Sequence, residues 1–156
     1  MDAKAKMKIY IANLQHINSI FTLLIDSFKI VKNDTKWITK SYIRNKIKHN
    51  NVFITRHNNI ISGVIIYCQY KYLLAIDIIA VHKDHQNQHI GTNLVNHAKK
   101  IAKNKIVEVG SYSKMNNIGF WIKNDFRVVK LDISDGKEHY FILIHQRIKP
   151  NKPRNI

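Results

Sequence analysis

Apolar positions along this 156-residue chain change period twice, and the changes divide it into elements. Lys8–Ala12 reads as a short strand. Ile17, Phe21, Leu24, Ile25 and Phe28 then fall at steps of four, three, one and three, the stripe of an amphipathic helix. Asn33-Asp34-Thr35 breaks it, and Ile38, Tyr42, Ile43 and Ile47 keep helical spacing within a lysine-rich helix from Trp37 to His49. The period then shortens. Val52–Arg56 and Ile60–Gln69 predict strands around a His57-Asn58-Asn59 turn, the second rich in β-branched residues. Tyr72–Val81 is nearly apolar throughout and predicts a strand covered on both faces, completing an antiparallel meander. Ile90, Leu94, Val95, Ala98, Ile101 and Ala102 restore a helix. Ile106–Val109 predicts a strand and Asn116–Lys123 a short helix. Val128–Ile133 and Tyr140–Ile144 close the chain as strands joined by a Ser134-Asp135-Gly136 turn. The order is β-α-α-β-β-β-α-β-α-β-β, a mixed α/β domain.

Composition narrows the class. The length fits one domain able to bury a core without disulfide or metal staples. Apolar residues at 45% and charged residues at 23% exclude disorder, collagen and coiled coil. The one cysteine, Cys68, excludes a disulfide framework and reads as a small buried hydrophobe, with a reducing, cytoplasmic setting expected. No apolar run has the length of a membrane span, and no leader pattern is seen near the start. Lys and Arg total 26 against 10 acidic residues, a formal charge of +16. That field favours polyanions, nucleic acid among them. Yet lysine (21), asparagine (17) and isoleucine (27) are all heavily used and arginine (5) is scarce, so compositional drift explains the excess about as well.

Chemistry concentrates between Ile78 and Leu94. A buried strand ends at Val81, a polar loop follows, and a helix starts near Gly91. The free N–H groups and dipole of a helix start form a cradle for phosphate. Gly91 permits close backbone approach and Thr92 adds a hydroxyl. An ordinary strand-to-helix turn would look the same. His82, His85 and His89 at spacings of three and four, with His97 two turns beyond, could be read as a metal site, but no helix is guaranteed across 82–89, the spacing is not diagnostic, and no metal is expected.

The stretch Gln86-Asn87-Gln88-His89-Ile90-Gly91, preceded by Ala80-Val81-His82, resembles motif A of the GNAT superfamily of N-acetyltransferases, Arg/Gln-x-x-Gly-x-Gly/Ala. Asn116-Asn117-Ile118-Gly119-Phe120-Trp121, continuing to Phe126, is similar to its motif B. The element order is the family's as well. The resemblance covers residues 7–148, with 149–156 left as a basic, flexible tail. It implies a mostly antiparallel sheet flanked by helices, with strands splayed at the coenzyme A site. It further implies acetyl transfer from acetyl-CoA to a primary amine by direct attack in a ternary complex. Gln86, Asn87, Gln88, His89, Ile90, Gly91 and Thr92 would carry the pyrophosphate. Ile79, Ala80 and Val81 would pair with the pantetheine arm, and Asn116 would lie beside it.

Departures from the pattern bear on catalysis. His89 stands at a motif glycine, and Trp121 stands where a tyrosine often protonates the leaving thiolate; indole donates a hydrogen bond but is no useful acid. Asp77, inside the apolar strand, is the candidate base, since desolvation would raise its pKa; it reads equally as a structural acceptor. Tyr112 is the candidate replacement acid, while Glu108 reads as structural. The acceptor could be a small molecule, a protein or, as among the family's toxins, an aminoacyl-tRNA. A catalytically impaired module binding coenzyme A or a polyanion is the rival reading. Either a monomer or a homodimer is compatible.

Overall fold

The computed structural model describes residues 7–28, 37–112, 116–133 and 139–146. The 149–156 tail and the Ser134–Gly136 turn expected from the sequence lie outside them. Strand β1 (Ile9–Ile11) leads through a single 3-10 turn (Leu14–His16) into α1 (Ile17–Phe28) and α2 (Lys40–Lys48). The meander β2 (Val52–His57), β3 (Ile60–Gln69) and β4 (Leu73–Val81) follows. A second 3-10 turn (Lys83–His85) then enters α3 (Ile90–Ala102), and β5 (Ile106–Tyr112), α4 (Ile118–Lys123), β6 (Arg127–Ile133) and β7 (His139–His145) complete the domain. The seven strands form one sheet in the order β1-β2-β3-β4-β5-β7-β6, antiparallel except between β4 and β5.

The elements and their order match the hydrophobic pattern; the boundaries shift where local chemistry intervenes. Helix α2 starts three residues later than expected because Thr39 caps it, its hydroxyl accepting the Tyr42 N–H at 3.0 Å. Strand β5 runs on to Tyr112 because Gly110, Ser111 and Tyr112 pair with β7 after β4 has left them. Two cores sandwich the sheet. Ile20, Leu24 and Ile43 of the first two helices pack on Ile54, Val64 and Ile78. Leu94, Val95 and Ala98 of α3, with Trp121 and Phe126, pack on Ile65, Leu74 and Val107 of the opposite face.

Both faces of β4 are thus covered, as its apolar run requires. Its alternation is interrupted once. Ile66 pairs with Ile78 and Tyr67 with Ile76, so Asp77 is an extra, unpaired residue in β4. This bulge resets the phase. Leu74 and Ile76 face α3 before it, whereas Ile78 and Ala80 face α1 and α2 beyond it.

Candidate active site

The parallel pairing of β4 with β5 covers Leu73–Ile76 against Ile106–Val109 and then stops. Asp77 and Gly110 are the first residues past the last pair, and from there the strands part. Ile79, Ala80 and Val81 remain bonded to β3 on one side, while their β5-facing edge has no strand partner among the described residues. An extended chain with amide groups can complete such an edge as an added strand.

Above this opening stands the start of α3. His89 is its N-cap, makes no side-chain cap, and leaves the N–H groups of Ile90, Gly91 and Thr92 without an acceptor among the described residues; Asn93 is the first to bond back, to the His89 carbonyl at 3.0 Å. Asn87 and His89 both have φ 60°, the left-handed conformation that glycine takes most readily. The backbone thus keeps a glycine-type path although the side chains differ. Gly91 packs directly on α4: a Cβ there would sit 3.1 Å from the Phe120 ring and 3.8 Å from Val81. Gln86 reaches back to the Val81 carbonyl at 3.5 Å. The uncapped helix start and the unpaired strand edge fit a ligand with phosphates at one end and amides along its arm.

Asp77 is not the desolvated carboxylate its apolar neighbours suggest. The bulge turns it toward α2, its side chain is 28% exposed, and Oδ2 is ion-paired with Lys46. Tyr42 donates its hydroxyl to the same oxygen at 3.0 Å. Burial, with the charge of Asp77, drives the Tyr42 phenol far above its usual range. Burial alone would lower Lys46; its hydrogen bonds to Asp77 and Cys68, with the charge of Asp77, outweigh that and raise it. Cys68, expected as an inert buried residue, lies 2.6 Å from the Lys46 ammonium and 3.7 Å from Asp77, because β3 turns it to the α2 face.

Trp121 is also placed differently from expectation. It is 1% exposed, wedged edge-on between Phe120 and Phe126, and its Nε1 has no hydrogen-bond partner among the described residues. The face of α4 that carries it points into the core. Tyr112 ends β5 opposite Tyr140, and only its backbone is described. Asn116 is exposed with φ 46°. The neighbouring Asn117, part of the motif B resemblance, accepts a hydrogen bond from the buried Ser111 hydroxyl and ties α4 to β5.

A residue missed by the sequence reading is Tyr140. A Cβ on Gly110 would overlap its hydroxyl, at 1.6 Å, so the phenol lies directly over Gly110. Strand alternation places that side of Gly110 opposite Val109, hence on the face where Asp77 meets α2. A phenol and a carboxylate therefore flank the opening where β4 and β5 separate. The signal was available: a glycine inside a strand marks a close approach.

The acetyltransferase (GNAT) domain model matches residues 48–128, more than half of the chain. The chain belongs to the GNAT acetyltransferase family. Solved structures of the same fold include the PaiA N-acetyltransferase from Thermoplasma acidophilum in complex with coenzyme A, 15% identical, with 91% of this chain and 99% of that one covered at a TM-score of 0.75. An aminoglycoside 6'-N-acetyltransferase complexed with coenzyme A superposes at 0.76, with 12% identity and coverage of 94% and 100%. The ribosomal-protein-S18-alanine N-acetyltransferase from Escherichia coli superposes at 0.73, with 14% identity and coverage of 93% and 97%. Sequence comparison with curated proteins gives no match. No helix among the described residues is long and apolar enough to cross a membrane.

Proposed function

We propose that this protein transfers an acetyl group from acetyl-CoA to a primary amine by direct attack in a ternary complex. The observation that carries the reading is the end of the β4–β5 pairing beneath an uncapped α3 start. Acetyl-CoA supplies the activated acetyl thioester. The Ile90, Gly91 and Thr92 N–H groups, aided by the α3 dipole, hold the pyrophosphate. The free edge of Ile79, Ala80 and Val81 holds the arm. Gln86, Asn87, Gln88 and His89 shape the loop around the phosphates, and Asn116 takes a place beside the arm.

Asp77 takes the proton that the attacking amine must lose, and a protonated acceptor displaces Lys46 from Oδ2 as it enters. That exchange of one ammonium for another keeps the carboxylate paired until it takes the first proton; the second leaves the nitrogen as the tetrahedral intermediate collapses and balances the departing thiolate. Tyr140, rather than Trp121, presents the hydroxyl at the opening, the position from which a proton can be returned to the leaving thiolate. Tyr112 keeps that role only if its side chain turns to the same opening.

The test follows thiol release from acetyl-CoA over a panel of primary amines. Turnover by the wild type, a fall of at least about 100-fold in Asp77→Asn, and a smaller loss in Tyr140→Phe support the assignment. Transfer unaffected in Asp77→Asn overturns the base. The ion pair already on Asp77 also favours the second reading, a module that binds coenzyme A without turning over. Tight binding without transfer to any amine would establish it.

A further inference from the structure

The tight turn joining β3 to β4 carries Tyr70, Lys71 and Tyr72; Tyr70 is hydrogen-bonded to Cys68, whereas the Tyr72 ring faces solvent, at 71% exposure. They are not on a loose loop. Tyr70 N–H bonds the Leu73 carbonyl at 2.7 Å, Lys105 Nζ bonds the Tyr70 carbonyl at 2.8 Å, and Ile106 N–H bonds the Tyr72 carbonyl at 3.1 Å. The turn is stapled to the start of β5, so Tyr72 is presented with its backbone entropy already lost. Lys71 holds its ammonium 5.0 Å from the Tyr72 ring centroid.

Beside Tyr72 runs a groove of about 450 Å³ between the turn and the end of α3, lined by Gln69, Lys71, Tyr72, Lys103, Asn104 and Lys105 together with the apolar Ile101 and Ala102. It contains three lysines and no carboxylate. A drift toward lysine codons accounts for the charge but not for an exposed aromatic ring carried on a hydrogen-bonded turn among the lysines. Amide side chains from Gln69 and Asn104 add donors and acceptors suited to base edges. An aromatic platform in a cationic groove is the arrangement that takes unpaired bases, which stack on the ring while their phosphates meet the cations.

We propose that this groove binds a single-stranded nucleic acid segment, with one base on Tyr72 and flanking phosphates on Lys71 and Lys103. Tyr72 lies five residues along β4 from Asp77, about 17 Å at strand rise, so the groove is separate from the candidate active site. The inference does not depend on the acetyl-transfer reading, and neither failure entails the other.

The test is fluorescence anisotropy of a labelled 12-nucleotide oligouridylate, its DNA counterpart and a duplex RNA, titrated with the full chain at two salt concentrations. Expected are preference for the single strands, a loss of about fivefold or more in Tyr72→Ala, and recovery in Tyr72→Phe. Lys103→Ala should flatten the salt slope by about 0.7, while Lys123→Ala, an exposed lysine on α4, should leave it unchanged. Unaltered binding by Tyr72→Ala overturns the proposal, as does duplex binding equal to single-strand binding. Equal effects of the two lysine variants, or competition by polyglutamate as effective as by unlabelled oligonucleotide, would reduce the groove to unspecific charge. No binding of any oligonucleotide also overturns it.

Discussion

The left-handed backbone at the α3 start makes His89 the most informative single substitution. At φ 60° an L-residue costs about 1–2 kcal/mol relative to its preferred regions, and glycine does not. Glycine also widens the unfolded ensemble, which returns about 0.5–1 kcal/mol. The net expectation for His89→Gly is a stabilisation of about 0.5–1 kcal/mol, since His89 makes no capping bond that would be lost. For a domain of this size that is about 1–4 °C in Tm. Asn87 supplies the control. It has the same φ, but asparagine tolerates this region, so Asn87→Gly should shift Tm by less than about 1 °C. Thermal unfolding of both variants followed by circular dichroism tests the difference. A lowered Tm for His89→Gly, or equal shifts for the two, would show that His89 is held by interactions the backbone argument omits. Removal of the imidazole should also leave acetyl-CoA affinity equal or higher, because the donors are backbone N–H groups.

Three further expectations concern neighbouring groups. Gly91→Val should lower affinity for coenzyme A by more than about tenfold and cost about 1–3 kcal/mol, because a Cβ already meets the Phe120 ring at 3.1 Å; calorimetry and thermal unfolding read the two effects. His97 packs on Phe53 at 4.5 Å, its Nε2 has no partner among the described residues, and burial, with Lys100, lowers its pKa from 6.5. The unfolded chain therefore binds the proton more readily, so His97 costs stability as pH falls through 6.5 toward its folded pKa, and His97→Phe should flatten unfolding free energy across that window. Lys46→Met should lower the acceptor KM with little change in kcat, since the acceptor no longer competes for Asp77, and should cost about 1–3 kcal/mol of stability.

The fold was legible because the buried surfaces are written in period. The stripe from Ile17 to Phe28, the apolar β4 and the α3 positions from Ile90 to Ala102 admit few arrangements. The loop proposed to hold the pyrophosphate was legible for a similar reason, since what it offers is local backbone. Side-chain chemistry was less accessible. The environment of Asp77 depends on a bulge that periodicity does not announce and on Lys46 and Tyr42, 31 and 35 residues away in sequence. Trp121 stands at a motif position, yet which side of a two-turn helix is buried is decided by packing against Phe126 and α3. Tyr140 became visible only through its contact with Gly110.

The central claim is that the α3 start and the free edge of β4 together form an acetyl-CoA site. Calorimetric titration of acetyl-CoA and coenzyme A into the full chain at moderate salt tests it most directly, with Gly91→Val alongside. Saturable one-site binding in the micromolar range is expected for the wild type, and its loss in the variant. Absence of binding to the wild type, or equal affinity in Gly91→Val, would contradict it.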